Sequence, residues 1–159
     1  MKKYGMVVFS LLLAACGFHL KGTVALDAPM PYQIWSVQGG ALQNALTNTL
    51  RRQPGVQIRD NDAEVVVKVL NVDQRKTESA VNQSGSTSEY LLDLNVSVQV
   101  YRNGQPLGDT MLVNVQRHMD YADSMVLGKQ EEEQTIWREM RQDAAEQIVR
   151  RLNYLPTPQ

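Results

Sequence analysis

The stretch Glu89-Tyr90-Leu91-Leu92-Asp93-Leu94-Asn95-Val96-Ser97-Val98-Gln99-Val100-Tyr101-Arg102 decides how this chain folds. Tyr90, Leu92, Leu94, Val96, Val98 and Val100 fall on one face of an extended strand. Leu91, Asp93, Asn95, Ser97, Gln99 and Tyr101 fall on the other, because successive strand side chains point to opposite sides. An apolar face this long has to be covered by other elements. The polar face of an antiparallel sheet can stay in water.

On the C-terminal side, Asn103-Gly104 is a strong hairpin signal. It leads into an extended segment from about Leu107 to Met119, with Met111, Val113 and Val115 on one side. On the N-terminal side, the polar run from Asn82 to Ser88 reads as a hairpin tip. It joins the central strand to a valine-rich segment that runs from Val56 to Arg59, turns at Asp60-Asn61-Asp62, and continues from Glu64 to about Glu78. Tyr32 to Val37 reads as a further short strand, bounded by Gly39-Gly40.

Two stretches carry helical spacing instead. Leu42, Ala45, Leu46, Thr49 and Leu50 recur every three or four residues and predict a helix over 40–53, with Arg51 and Arg52 at its negative end and Pro54-Gly55 as the stop. A longer helix starts near Asp123 or Ser124, either of which suits an N-cap. Ile136, Met140, Ala144, Ile148 and Leu152 form its apolar stripe, widened by Trp137, Ala145 and Val149. About 29 helical residues span roughly 43 Å, and a strand of about 13 residues spans much the same. The predicted fold is therefore α+β, in the order β-α-β-β-β-α. It is a two-layer sandwich with two helices packed on one face of a four-stranded, mostly antiparallel sheet.

The first residues read as a leader rather than as part of that fold. Lys2 and Lys3 precede an apolar run through Leu13 that is shorter than the roughly 20 residues a membrane-spanning helix needs. Leu13-Ala14-Ala15-Cys16 then looks like a bacterial lipobox. That reading makes residues 1–15 a cleaved signal peptide and residues 16–159 a single domain with a short flexible end at about 155–159. Cys16 would carry an S-diacylglycerol group and an N-acyl group. Acyl chains add about 0.8 kcal/mol of membrane affinity per buried methylene, so two or three of them anchor firmly. With Lys2 and Lys3 removed, the formal side-chain charge goes from −1 to −3. Gly17 stands where an Asp would favour retention at the inner membrane, which points to the outer membrane.

The remaining composition excludes more than it assigns. Sixteen Lys+Arg against seventeen Asp+Glu give no basic excess for nucleic acid. Lipidation would consume the only cysteine, and two histidines about a hundred residues apart make no metal constellation. His118 has Asp120 nearby, but no G-x-S-x-G elbow and no phosphate-binding Gly-rich loop is present. No catalytic constellation and no cofactor is expected. Arg75 and Lys76 near the tip, with Arg117, His118 and Lys129 around the last strand–helix junction, read either as scattered surface charge or as a cationic cluster for lipid phosphates. The face bearing Asp93, Asn95, Ser97 and Gln99 reads either as solvated or as docked in a polar enclosure, such as the lumen of a membrane β-barrel.

The decapeptide Leu13-Ala14-Ala15-Cys16-Gly17-Phe18-His19-Leu20-Lys21-Gly22 resembles the start of the LptE family of lipopolysaccharide-assembly lipoproteins. The resemblance continues through Ser88-Glu89-Tyr90, through Lys129 ahead of an acidic stretch, and through Met140 and Ala144-Ala145-Glu146-Gln147-Ile148. It implies a non-enzymatic subunit of the outer-membrane lipopolysaccharide translocon. Such a subunit sits largely inside the LptD β-barrel in a 1:1 complex, plugs it and helps it assemble. Asp93, Asn95, Ser97 and Gln99 would then face the barrel. The resemblance also implies contact with lipopolysaccharide, for which Lys129, Arg117, Lys76 and Arg75 are the candidates. The tip Gln83-Ser84-Gly85-Ser86 departs from the family pattern in carrying no cation. The alternative is a free periplasmic-side outer-membrane lipoprotein that binds a small ligand or a cell-wall component.

Overall fold

The computed structural model describes residues 29–83, 85–121 and 126–157. The leader, Cys16, His19 and the helix-capping candidates Asp123 and Ser124 lie outside the described residues. The chain runs β1 (Ile34–Gln38), a 3-10 turn (Gly40–Leu42), α1 (Gln43–Arg51), β2 (Gln57–Ile58), β3 (Val65–Val81), β4 (Thr87–Arg102), β5 (Gln105–Asp120) and α2 (Val126–Leu152). The sheet order is β2-β1-β3-β4-β5. β1 is parallel to both of its neighbours, and the β3-β4-β5 meander is antiparallel.

The fold class is the expected α+β sandwich, with one correction. Residues 56–59 do not open the long third strand. Gln57 and Ile58 within them form the separate edge strand β2, which makes a five-stranded mixed sheet. The cause is local: Gln57 N–H donates to Gln33 O and Arg59 N–H to Trp35 O, on the free side of β1. The chain then rounds the start of β1, with Asp62 at φ 61°, and Glu64 N–H donates to Ile34 O as β3 begins on the other side.

The alternation in β4 sets the core. Leu92, Leu94, Val98 and Val100 are fully buried and Val96 nearly so. They meet Val113, Val115 and Met119 of β5 and Met140, Ala144, Ala145, Ile148, Val149 and Leu152 of α2. Leu42, Leu46 and Leu50 cover β1 and the base of β3, where Trp35, Val65 and Val67 are buried. Each such aliphatic side chain contributes about 1.5–3 kcal/mol relative to exposure.

The turn from β1 into α1 is held by Gln43, whose Oε1 accepts from Gly39 N–H at 2.6 Å while Nε2 donates to Val37 O at 2.9 Å. A Cβ at Gly39 would stand 2.7 Å from Gln43 Cα, so only glycine fits. At the far end, Tyr32 Oη donates to Pro156 O at 2.7 Å and Leu155 packs against the core. The first residues of the expected flexible end are thus docked.

β3, β4 and β5 are longer than the sequence pattern marked, at 17, 16 and 16 residues against 27 for α2. At about 3.3 Å per strand residue and 1.5 Å per helix residue, the strands overrun the helix. The strands still pair close to the tip: Ala80 with Glu89, and Val81 with Thr87.

Candidate functional site

Because neither helix packs on it, the sheet face opposite the helices is open among the described residues. Asp93, Asn95 and Ser97 stand on it in mid-strand, paired across to Gln116, Asn114 and Leu112 of β5. Asn114 Nδ2 donates to Asp93 Oδ1 and, at 2.8 Å, to Asn95 Oδ1, while Asn95 Nδ2 donates to Asp93 Oδ2 at 3.2 Å. The result is a laced ladder of amides and a carboxylate, half-buried and rich in donors and acceptors.

Gln99 differs from the other three and, contrary to expectation, does not present its side chain to a barrel. It is only 6 % exposed, since three residues of β5, Gly108 to Thr110, bulge opposite it. Its Nε2 donates to Gly108 O and Val100 O, and its Oε1 accepts from Thr110 Oγ1 at 2.8 Å. Its polar atoms serve the bulge rather than a partner.

Two leucines on this face were missed by the sequence reading. Leu112 is 70 % exposed and Leu70 48 % exposed, on either side of Ser97. The alternation that places Met111 and Val113 inward already turns Leu112 outward. Leu70 had no such signal, because it is the extra residue of a bulge between Val69 and Asn71. A shallow hollow of about 310 Å³ lies beside Leu112, lined also by Asn71, Asn95, Ser97 and Asn114.

Strand parity separates Arg75 from Lys76, while Arg117 shares the helix side with Lys76 and Lys129 stands on α2 itself. Lys76 lies on the helix side and Arg75 on the open side, where it pairs with Asp73 at 3.1 Å. Lys76 Nζ bonds Glu133 Oε2 at 2.6 Å and stands 4.2 Å from the Tyr90 ring, which meets Tyr121 edge-on. Lys129 bonds Glu132 at 2.7 Å. Lys76 and Lys129 together line a cavity of about 170 Å³ with Met119, Tyr121, Gln130 and Glu133. Arg117 pairs instead with Asp143, about 15 Å along α2 from Glu133. The structure therefore brings together two of the four.

Two carboxyls are held below their ordinary range. Glu89 accepts from Ser79 Oγ at 2.6 Å, and His118 Nδ1 lies 2.9 Å from the same oxygen; the Ser79 bond is the larger cause. For Glu133, burial pushes the pKa up, but bonds from Lys76 and Trp137 with the Lys76 charge outweigh it. Among the described residues, no three His, Cys, Asp or Glu side chains gather as a metal site. No described helix is long and apolar enough to cross a membrane.

Comparison with known proteins bears on what this scaffold is. The family model described as LptE, lipopolysaccharide-assembly, matches residues 22–152. The chain is 33 % identical to the LPS-assembly lipoprotein LptE of Photorhabdus laumondii, covering 89 % of this chain and 79 % of that one. It is 29 % identical to the protein of the same name from Pectobacterium atrosepticum, with the same coverage. Among solved structures, a minor lipoprotein of Acinetobacter baumannii aligns with TM-score 0.67 at 27 % identity, over 82 % of this chain and 99 % of that one. A lipoprotein B of Nitrosomonas europaea aligns at 0.70 and 20 % identity, over 86 % and 90 %, a likeness of fold. With the family match spanning nearly all of the described sandwich, the chain belongs to the LptE family of lipopolysaccharide-assembly proteins.

Proposed function

We propose that this protein is the lipoprotein subunit of the outer-membrane lipopolysaccharide translocon, seated in the LptD β-barrel as a plug and an aid to its assembly. Its role in lipopolysaccharide assembly is non-enzymatic, as the names of its relatives indicate. Cleavage before Cys16 and acylation there would hold it at the outer membrane, on the periplasmic side and in the barrel lumen. The observation that carries this reading is the open, hydrogen-bond-rich face of three strands of 16 or 17 residues, longer than most strands in globular domains. A barrel lumen is polar and wet, and such a face suits it. Lys76 and Lys129 in their aromatic-lined cavity are the residues we assign to lipopolysaccharide phosphates; Arg75 and Arg117 lie apart from them.

The test is detergent extraction of the tagged full-length lipoprotein followed by affinity capture. A large β-barrel recovered in stable 1:1 stoichiometry is the expected result. A monomer without a barrel partner would contradict the reading.

A further inference from the structure

β1 and α1 both stop part-way up the molecule, and above them no described element covers one flank. β1 pairs with β3 only as far as Lys68, so the outer edge of β3 from 69 to 81 has no strand beside it among the described residues. Between its bulges, β3 keeps a regular register with β4 from Asn71 to Glu78, which leaves a row of outward N–H and C=O groups. The same happens on α2. Gln142 donates to Thr49 of α1 and Ala145 is buried, but one turn earlier, at the same helical positions, Arg138 and Arg141 have no described element over them.

Gln134, Trp137, Arg138 and Arg141 line a hollow of about 500 Å³ there. The relay of Lys76 to Glu133 and of Trp137 Nε1 to Glu133 Oε1 ties β3 to this flank. Arg138 donates to Thr135 alone, and neither arginine has a carboxylate partner among the described residues. The opposite edge of the sheet is better guarded. On β5, Arg151 Nη1 donates to Leu112 O, and the strand bulges at Gly108–Thr110.

We propose that this notch receives an extended, carboxylate-bearing segment of the barrel subunit. The segment adds as a strand to β3 over 71–78 and sets its acidic side chains against Arg138 and Arg141. Main-chain bonds give such an added strand its affinity, and the two arginines, each capable of bidentate pairing with a carboxylate, give it its sign preference. The inference rests on the barrel partnership proposed above.

Hydrogen exchange, read by mass spectrometry on the detergent-extracted complex and on the free lipoprotein, tests it. Peptides covering 71–78 should exchange about tenfold or more slowly in the complex, while 113–118 on the β5 edge do not change. Arg138→Glu with Arg141→Glu should restore fast exchange at 71–78; Arg138→Gln with Arg141→Gln, a milder change at one exposed and one half-buried position, should restore it in part. A complex that forms with 71–78 unchanged would overturn the docking and leave the barrel partnership standing. Slow exchange already present in the free chain would mean that its own residues fill the edge, and would overturn it too. Failure to form any complex would overturn both.

Discussion

Gln99 occupies a polar position in the alternation of β4, yet its amide is enclosed by the β5 bulge and bonded to Gly108 O and Thr110 Oγ1. Gly108 adopts φ 71°, which the bulge requires and which other residues adopt at a cost. Replacing Gln99 by Leu leaves two carbonyls, of Gly108 and Val100, and the Thr110 hydroxyl without that partner. We expect a loss of about 1–3 kcal/mol in denaturant unfolding. A second residue-scale expectation concerns acid. The Glu89 carboxyl is lowered from its ordinary 4.5, so its contribution is present above that value and is lost as the pH falls through the lower folded-state value. Melting temperature measured down to and below pH 4.5 should therefore fall more for the wild type than for Glu89→Gln. Equal slopes would show that the Ser79–Glu89–His118 cluster at the tip contributes nothing to folding.

At the scale of elements, the periodicities that were legible are those with one buried face. β4 and the stripe of α2 could be read because every second, or every third and fourth, residue meets the core. Met140 is fully buried between α2 and the sheet, and Met140→Ala should cost about 2–5 kcal/mol by calorimetry or denaturant titration. The Asn103-Gly104 turn was also legible, since both residues take positive φ, 51° and 78°, as that hairpin demands. β2 was not. Two residues give no period, and its place beside β1 is fixed by backbone bonds to Gln33 and Trp35 rather than by side chains. The extent of β3 was read to about Glu78, but which of its residues face inward was hidden. The Leu70 bulge reverses which residues face inward, so the inward set changes from Val65, Val67 and Val69 to Val72 and then to Gln74 and Lys76, which do not look like a strand's buried face.

For the whole molecule, the open sheet face was visible in the sequence as the polar half of one alternation, although Gln99 had to be removed from it and Leu70 and Leu112 added. The cation cluster was half legible. Neighbouring positions such as Arg75 and Lys76 point to opposite faces, and only the register with β4 shows which of them meets Lys129. The proposed role requires the barrel partner to sit against the open face. It is tested most directly by placing a photo-crosslinking amino acid at Asn95, in the middle of that face, in cells producing the full-length lipoprotein. Irradiation should yield one covalent adduct carrying the mass of the barrel subunit. A protein that is properly localised and folded, yet gives no barrel adduct from Asn95, would contradict it.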